Sequence, residues 1–206
     1  HGRAQGWISA NTARRRSAGH LRRLRLNDPP EPRAMMLLGL ILAGGQSTRF
    51  GSDKALAVYQ GRPLLMHAAD ALAPHVAALA VAGRDWPELI RIQDAPKPGL
   101  GPLGGLLGGL IYAGQHGFDA VLTSGCDTLG LMPDHIAALN PGPAVLDTLP
   151  VVGLWPTALG PRLAAWMEET PRHALYSFAR AVAARRVVLA NPPVNINQPS
   201  DLDALA

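Results

Sequence analysis

Short apolar segments alternate with stretches of helical periodicity from residue 37 to the end of the chain. Leu37–Leu42 is an apolar run that ends close to two glycines, and this pattern predicts a buried strand. Leu64–Leu72 has apolar residues at helical spacing after Pro63, which suits the start of a helix. Strands that alternate with helices favour a mostly parallel sheet covered by helices on both faces. The pattern therefore predicts the α/β fold class.

The remaining elements follow from the same two periodicities. We expect further strands at residues 76–81, 89–92, 120–124 and 186–189, and an extended segment at 144–155 that turns near Asp147. We expect further helices at residues 102–113, 133–139, 159–167 and 174–184, and a closing helix from Pro199. Residues 54–59 are expected to form a weaker extended piece that ends at a turn over 61–63. The pattern indicates no internal repeat and no second domain.

The first 34 residues differ from the rest of the chain in charge. They hold eight arginines and two acidic residues, a formal charge of +6, so residues 35–206 carry −2 of the total of +4. This arm begins with His1, lacks apolar periodicity and ends in a proline-rich stretch just before Met35 and Met36. We expect residues 1–34 to be a disordered extension upstream of a natural start at Met35 or Met36, whose removal leaves activity intact. An organelle transit peptide and a basic nucleic-acid arm remain alternatives.

Charge, hydropathy and cysteine content exclude several classes for residues 35–206. The net negative charge gives no electrostatic footprint for nucleic acid. No apolar run approaches the roughly 20 residues that cross a bilayer, so we expect no membrane association. Cys126 is the only cysteine, which rules out a disulfide within the chain and fits a reducing, cytoplasmic compartment.

The most informative polar pattern lies in residues 43–54, here called the glycine loop. Gly44 and Gly45 follow the first predicted strand, and glycine lets backbone N–H groups approach a phosphate closely. Arg49 and Lys54 can meet the remaining phosphate charge, one as a planar fork and the other as a point charge. The pattern predicts a loop that binds a nucleoside triphosphate.

Two familiar phosphate motifs fit less well. The spacing from Gly45 to Gly51, with no Gly-Lys pair after it, is wrong for a P-loop. A G-x-G-x-x-G pattern does occur at residues 99–104, but Pro102 lies inside it and Pro98 precedes it where a dinucleotide fold has a strand. A dinucleotide-dependent oxidoreductase is therefore only a third choice, which NAD(P) binding would test.

Two carboxylates follow predicted strands. In a parallel sheet ligands bind at the carboxyl ends of the strands, so residues 43–54, 94–105 and 124–127 should meet. Asp127 is placed to hold Mg²⁺, with a helix cap as the alternative. Asp94 has three candidate roles: reading a base or ribose, helping to hold the metal, or simply opening a turn. Cys126 has no base near it in the sequence and is expected to be a small buried hydrophobe.

Taken together, these motifs resemble those of the molybdenum cofactor guanylyltransferases, the MobA-type branch of the glycosyltransferase-A-like nucleotidyltransferases. The opening L-A-G-G-x-x-x-R-[MF]-G-x-D-K matches at residues 42–54, and D…G-P-L-x-G matches at Asp94 and residues 101–105. C-D-T matches at 126–128, the proline of L-W-P at Pro156, and the ending N-I-N-Q-P-S-D-L at 195–202. The matches extend over nearly all of residues 37–206.

The resemblance implies a three-layer α/β/α fold with a mostly parallel, Rossmann-like sheet of the nucleotide-diphospho-sugar transferase type, in a single nucleotidyltransferase domain over residues 35–206. It implies that the enzyme binds GTP and Mg²⁺, transfers GMP to molybdopterin and releases pyrophosphate, with transient contact to molybdoenzyme maturation proteins. The implied catalytic residues are Arg49, Lys54 and Asp127, and Asp127 is the implied metal ligand. The implied contacts to nucleotide and acceptor are Leu42, Ala43, Gly44, Gly45, Lys54, Asp94, Asp127, Asn195 and Asn197.

The chain also departs from the family pattern. Phe50 replaces the usual Met and Gln198 the common Thr, and the region 144–155 is short on the acceptor side. Family members can carry an Asn after the second strand of the sheet, where this chain has Gly83 and Arg84. A related transferase that uses CTP, or a sugar or alcohol phosphate acceptor, remains an alternative. A non-catalytic GTP sensor or adaptor for molybdoenzyme maturation is the alternative from another class.

Overall fold

A computed structural model of the chain describes residues 34–44, 53–170 and 174–205. The strands are β1 Leu37–Leu42, β2 Val58–Tyr59, β3 Arg62–Pro63, β4 Ala78–Ala82, β5 Ile90–Ile92, β6 Ala120–Gly125, β7 Thr128–Leu129, β8 Ala144–Leu146, β9 Gly153–Pro156, β10 Arg185–Val187 and β11 Val194–Asn195. The α-helices are α1 Leu64–Leu72, α2 Gly101–Gln115, α3 Pro133–Ala138, α4 Gly160–Glu169, α5 Leu175–Ala181 and α6 Pro199–Asp203. Short 3₁₀ helices cover Lys54–Leu56, Ala73–His75 and Thr157–Leu159.

Seven strands form the central sheet in the order β10-β8-β9-β6-β1-β4-β5. β1 lies between β4 and β6 and is parallel to both, and the pairs β4–β5 and β8–β10 are also parallel. β9 runs antiparallel to its neighbours β6 and β8. The prediction of a mostly parallel sheet is therefore confirmed. β1 reads as a continuous apolar run because both of its faces are covered.

Helices cover the two faces of this sheet. Leu38, Leu40 and Leu42 of β1 belong to a buried cluster with side chains of α2, α4 and α5. Ile41 belongs to a second cluster with side chains of α1 and α3. Residues of β1 belong to different clusters because successive side chains of a strand point to opposite faces of the sheet. The three-layer α/β/α architecture is confirmed.

The glycines of α2 let this helix approach the sheet closely. A Cβ atom at Gly108 would lie 2.0 Å from the carbonyl oxygen of Gln93, and one at Gly109 would lie 2.5 Å from a methyl of Leu40. Each glycine costs about 1 kcal/mol of helix propensity relative to alanine. Close packing compensates, as the sequence led us to expect, and it holds Pro102 at the edge of the site described below.

Several local expectations were wrong. Residues 54–56 form a 3₁₀ helix rather than an extended segment, because the Asp53 carboxylate accepts a hydrogen bond from Ala55 N at 3.1 Å and caps its first turn. Residues 62–63 pair with 58–59 as a short hairpin instead of forming only a turn. The antiparallel pair β7–β11 was not predicted. The bounds of the other elements differ from the predicted ones by up to three residues.

None of the described helices combines the length and the apolar character that crossing a bilayer requires.

Candidate active site

A cleft of about 800 Å³ opens where the central strands end. Residues that follow β1, β4 and β6 form its base, because the carboxyl ends of parallel strands meet at one edge of the sheet. The lining residues in this part of the cleft are Leu42, Ala43, Gly44, Asp53, Lys54, Ala55, Arg84, Pro102, Gly125, Cys126 and Asp127. The other lining residues are Leu149, Pro150 and Val151 between β8 and β9, Ala174, Leu175 and Tyr176 at the start of α5, and Asn195 and Asn197 next to Asp127.

Lys54 and Asp127 meet in this cleft. The Lys54 ammonium donates a hydrogen bond to Asp127 Oδ2 at 3.1 Å. The two side chains are only 16% and 20% exposed, so water screens their attraction less than at an open surface. Lys54 begins the 3₁₀ helix that Asp53 caps, and Asp127 follows β6 by two residues. The structure thus joins the end of the glycine loop to the tip of a strand remote in sequence.

The surroundings of Asp127 fit a magnesium ion. A Cβ atom at Gly125 would lie 2.7 Å from Asp127 Oδ1 and 3.2 Å from Thr128 Oγ1, so glycine leaves room for both oxygens. The Thr128 hydroxyl is buried and has no hydrogen-bond partner among the described residues. Those residues contain no group of three or more His, Cys, Asp or Glu that could hold a metal. Mg²⁺ needs only one or two carboxylates beside waters and phosphate oxygens, so a site with Asp127 as its carboxylate does not require a cluster of three.

Arg84 is a cleft residue that sequence reasoning did not select. Its Nη2 donates to both carboxylate oxygens of Asp53 at 2.8 Å, and its Nε donates a long hydrogen bond of 3.4 Å to the carbonyl oxygen of Ala43. No local motif marks this residue, and the available signal was its place two residues beyond β4, at the edge where the other strands end. Arg84 contacts both oxygens of Asp53, whereas the Lys54 hydrogen bond goes to Oδ2 of Asp127, so Asp127 is the better candidate for a metal ligand.

Asn195 and Asn197 lie beside Asp127. β11 pairs with β7, and Ile196 N donates to the carbonyl oxygen of Asp127 at 2.9 Å. Asn195 Nδ2 donates to Asn197 Oδ1 at 2.9 Å. The Asp201 carboxylate accepts hydrogen bonds from Asn197 N and Gln198 N, and these bonds lower the pKa of Asp201. Hydrogen bonds therefore connect residues 195–198 to Asp127 at one end and to α6 at the other.

Asp94 lies next to the cleft rather than in its wall. Its carboxylate accepts a hydrogen bond from Gly99 N at 3.1 Å, the arrangement of a turn-opening aspartate. It lines an adjoining crevice of about 10 Å³ together with Leu42, Gly44 and Pro102. A crevice of this size holds about one water molecule. Gly45 and Arg49, the other predicted site residues, lie outside the described residues.

Residues 39–188 match the family model for the MobA-like NTP transferase domain. The chain belongs to this family. It is 33% identical over 188 residues to a molybdenum cofactor guanylyltransferase of Acidiphilium cryptum, a match that covers 84% of this chain and 96% of the relative. It is 37% identical to a protein of the same name from Cereibacter sphaeroides, with coverages of 82% and 94%.

A solved structure shares the fold of this MobA-like NTP transferase domain. It is the molybdopterin-guanine dinucleotide biosynthesis protein A of Archaeoglobus fulgidus, with a TM-score of 0.61 and 19% identity. The match covers 82% of this chain and 96% of that protein. The chain is thus a nucleotidyltransferase by family, and its fold agrees with that of a solved relative.

The surroundings of the cysteine of this MobA-like transferase disfavour a nucleophilic thiolate. Cys126 is buried, and burial, together with the negative charge of Asp127, raises the pKa of its thiol to about 12. The thiol is therefore protonated at neutral pH, where a nucleophile needs the thiolate. The expectation of a small buried hydrophobe is confirmed.

The part of the lining between β8 and β9 and at the start of α5 is largely apolar. Leu149, Pro150 and Val151 form part of it, and Tyr176 is the only aromatic residue among the described residues that line the cleft. The Arg186 guanidinium lies 5.5 Å from the centre of the Tyr176 ring and also pairs with Asp147. Arg186 itself does not line the cleft. In this MobA-like transferase an aromatic ring with a guanidinium next to it therefore lines the apolar part of the cleft.

Proposed function

We propose that this protein is a molybdenum cofactor guanylyltransferase, which transfers GMP from GTP to molybdopterin and releases pyrophosphate. The main support is the contact between Lys54 and Asp127 at the base of a cleft that begins at the glycine loop. Two relatives that are 33% and 37% identical to this chain over the aligned residues carry the name of that activity.

The donor nucleotide would bind on the side of the glycine loop. Leu42, Ala43 and Gly44 line this side, and Gly45 continues the loop in sequence. Backbone N–H groups without a Cβ nearby can approach phosphate oxygens closely. Lys54 and Arg49 would neutralise the triphosphate and steady the departing pyrophosphate. Asp94 would act on the guanosine side, but its crevice must widen before it can admit a base.

Asp127 would hold the Mg²⁺ ion, since its carboxylate lines the cleft. When bound, the ion would supply positive charge next to the α-phosphate and the acceptor phosphate. Lys54 contacts the same carboxylate, so its ammonium group would add positive charge next to the triphosphate. Placed charge of this kind is the main source of catalysis in phosphoryl-type transfer.

The acceptor would bind in the part of the cleft lined by Tyr176, Asn195 and Asn197. Asn195 and Asn197 offer amide groups there, and Tyr176 with the apolar residues around it suits a flat heterocycle such as a pterin. The terminal phosphate of the acceptor would then point towards Asp127 and the donor. This arrangement would bring the two reacting phosphates together near Asp127.

The reaction forms one bond and breaks one bond at phosphorus. An ionised oxygen of the acceptor phosphate attacks the α-phosphorus of GTP, and the bond to the β-phosphate oxygen breaks. Pyrophosphate leaves with the bonding electron pair, and the product is a dinucleotide joined by a phosphoanhydride. No general base is needed, because the attacking oxygen carries no proton.

Mass spectrometry of the product formed from GTP, Mg²⁺ and molybdopterin tests the proposal. We expect a molybdopterin guanine dinucleotide and an equal amount of pyrophosphate. CTP in place of GTP, and sugar or alcohol phosphates in place of molybdopterin, serve as competing substrates. Preference for one of them would replace the proposed substrates. GTP binding without any pyrophosphate release would instead indicate a sensor or adaptor.

A further inference from the structure

We infer that Arg84 is a positioning residue, whose guanidinium holds the two ends of the glycine loop and thereby sets the place of Lys54. The inference rests on the proposed function in one respect, since that function assigns the loop to the nucleotide. Nothing in the local sequence around Arg84 predicts such a role.

The contacts of Arg84 reach both ends of the loop. Its Nη2 contacts both Asp53 oxygens at 2.8 Å, and its Nε contacts the carbonyl oxygen of Ala43 at 3.4 Å. Ala43 immediately precedes Gly44 at the start of the loop, and Asp53 lies at its end. The planar guanidinium thus contacts residues 43 and 53, which lie ten positions apart in the sequence. An ammonium group is a point charge and lacks this fixed fork.

Holding Asp53 also holds Lys54. Asp53 caps the 3₁₀ helix of Lys54–Leu56 through a hydrogen bond of 3.1 Å from Ala55 N, and Ala55 is 1% exposed in the core. Lys54 is the first residue of this helix, so the cap sets the direction in which its side chain leaves the backbone. Its ammonium group then contacts Asp127 at 3.1 Å. The chain of contacts therefore runs from Arg84 through Asp53 to the Lys54–Asp127 pair.

The backbone conformation of Gly83 explains why the Arg84 side chain can contact both ends of the glycine loop. Gly83 has a φ of +91°, and a Cβ there would lie 2.3 Å from Gly44 Cα. The end of β4 therefore passes backbone to backbone against the start of the glycine loop. Only glycine allows this approach, and it brings the next residue within range of both Ala43 and Asp53.

A second ion pair supplies a matched control. Arg91 and Asp85 lie 2.9 Å apart, but their side chains are 60% and 73% exposed and neither lines the cleft. The Arg84 and Asp53 side chains are 21% and 40% exposed. Exposed pairs contribute little to stability, so Arg91→Gln should behave like the wild type.

The test is steady-state kinetics with GTP and acceptor varied separately. The variants are Arg84→Gln, Arg84→Lys, Asp53→Asn and the double variant Arg84→Gln/Asp53→Asn, with thermal melting as a check of folding. Asp53→Asn removes the charge but keeps an oxygen that can cap the helix. We expect Arg84→Gln and Asp53→Asn each to raise the KM for GTP about tenfold or more, as misplaced binding groups do, with the KM for acceptor unchanged. The double variant should be no worse than the worse single variant, and Arg84→Lys should be intermediate.

Two outcomes would overturn the inference. If Asp53→Asn leaves the KM for GTP at the wild-type value while Arg84→Gln raises it, Arg84 contacts the nucleotide directly. If the KM values for both substrates rise equally and the melting temperature falls, the role is a general structural one. Failure of the proposed function is distinguishable, because the wild type would then form no product. Calorimetric GTP binding by the same variants would still test Arg84 in that case.

Discussion

The ammonium group of Lys54 lies 3.1 Å from a carboxylate oxygen of Asp127, although 73 residues separate the two in the chain. Lys54 belongs to the segment that leaves β1, and Asp127 follows the neighbouring strand β6. The parallel pairing of these strands brings both residues to the same edge of the sheet. The contact between Lys54 and Asp127 therefore depends on the pairing of β1 with β6 as well as on the two local motifs.

Asp127→Ala should lower the turnover number about 10²- to 10³-fold, in line with the loss of other groups that stabilise transition-state charge. The physical reason is loss of the carboxylate that would hold Mg²⁺. The same variant should need a much higher Mg²⁺ concentration for its remaining activity, which a magnesium titration of initial rates will measure. Asp85→Ala, at an exposed ion pair outside the cleft, is the control and should match the wild type.

Lys54→Ala should also lower the turnover number about 10²- to 10³-fold, because it removes the cation that, under the proposed function, would neutralise the departing pyrophosphate. Its Mg²⁺ requirement should change less than that of Asp127→Ala, since the carboxylate remains. Rapid-quench measurement of pyrophosphate release separates this effect from slower product release. A turnover number within twofold of the wild type would remove the role assigned to Lys54.

Tyr176→Ala should raise the KM for the acceptor about tenfold, as expected from the loss of one stacking contact with a heterocycle. GTP binding should stay unchanged, because Tyr176 belongs to the part of the lining proposed for the acceptor, whereas GTP is proposed to bind at the glycine loop. Tyr176→Phe keeps the ring and serves as the matched control, with an acceptor KM near that of the wild type. Equal effects of both variants would mean that the hydroxyl, and not the ring, is the important group.

The thiol of Cys126 should ionise far above neutral pH. Burial raises its pKa from 9.0 to about 12, so the thiolate absorbance of the folded protein should appear only as the pH approaches that value. In denaturant the same thiol should ionise near 9.0. Since the unfolded chain releases this proton first, the thiol stabilises the fold below pH 9 and loses that contribution as the pH rises towards 12. Rapid alkylation of the folded protein at neutral pH would contradict this expectation.

Gly83→Ala should lower the free energy of unfolding by about 2 kcal/mol or more, because φ at this position is positive and the new Cβ would meet the backbone of Gly44. Gly114→Ala is the matched control. Gly114 lies exposed in α2, and a Cβ there would contact nothing within 4 Å, so alanine should stabilise the protein by up to about 1 kcal/mol. Urea denaturation of both variants measures the difference. Similar unfolding midpoints for the two would show that the backbone approach at Gly83 has little effect on stability.

Sequence reasoning was most successful where one local period dominates. β1 and α1 have the predicted bounds, because a buried strand and an amphipathic helix each leave a clear pattern of apolar positions. It failed for β7 and β11, two residues each, since such short strands have no period to detect. The 3₁₀ helix after Asp53 was missed because a single capping hydrogen bond, and not a pattern, determines it.

The sequence by itself determined the fold class, the family resemblance and the chemical types of the site: a glycine-rich turn, a cation and a carboxylate after a strand. Only the tertiary structure decided which of them meet, since side-chain contacts across a sheet depend on strand order and register. It joined Lys54 to Asp127, set Asp94 in a crevice beside the cleft and revealed Arg84 at the loop. An arginine after a strand has no distinctive local signal, and its partners become visible only when Gly83 packs against Gly44.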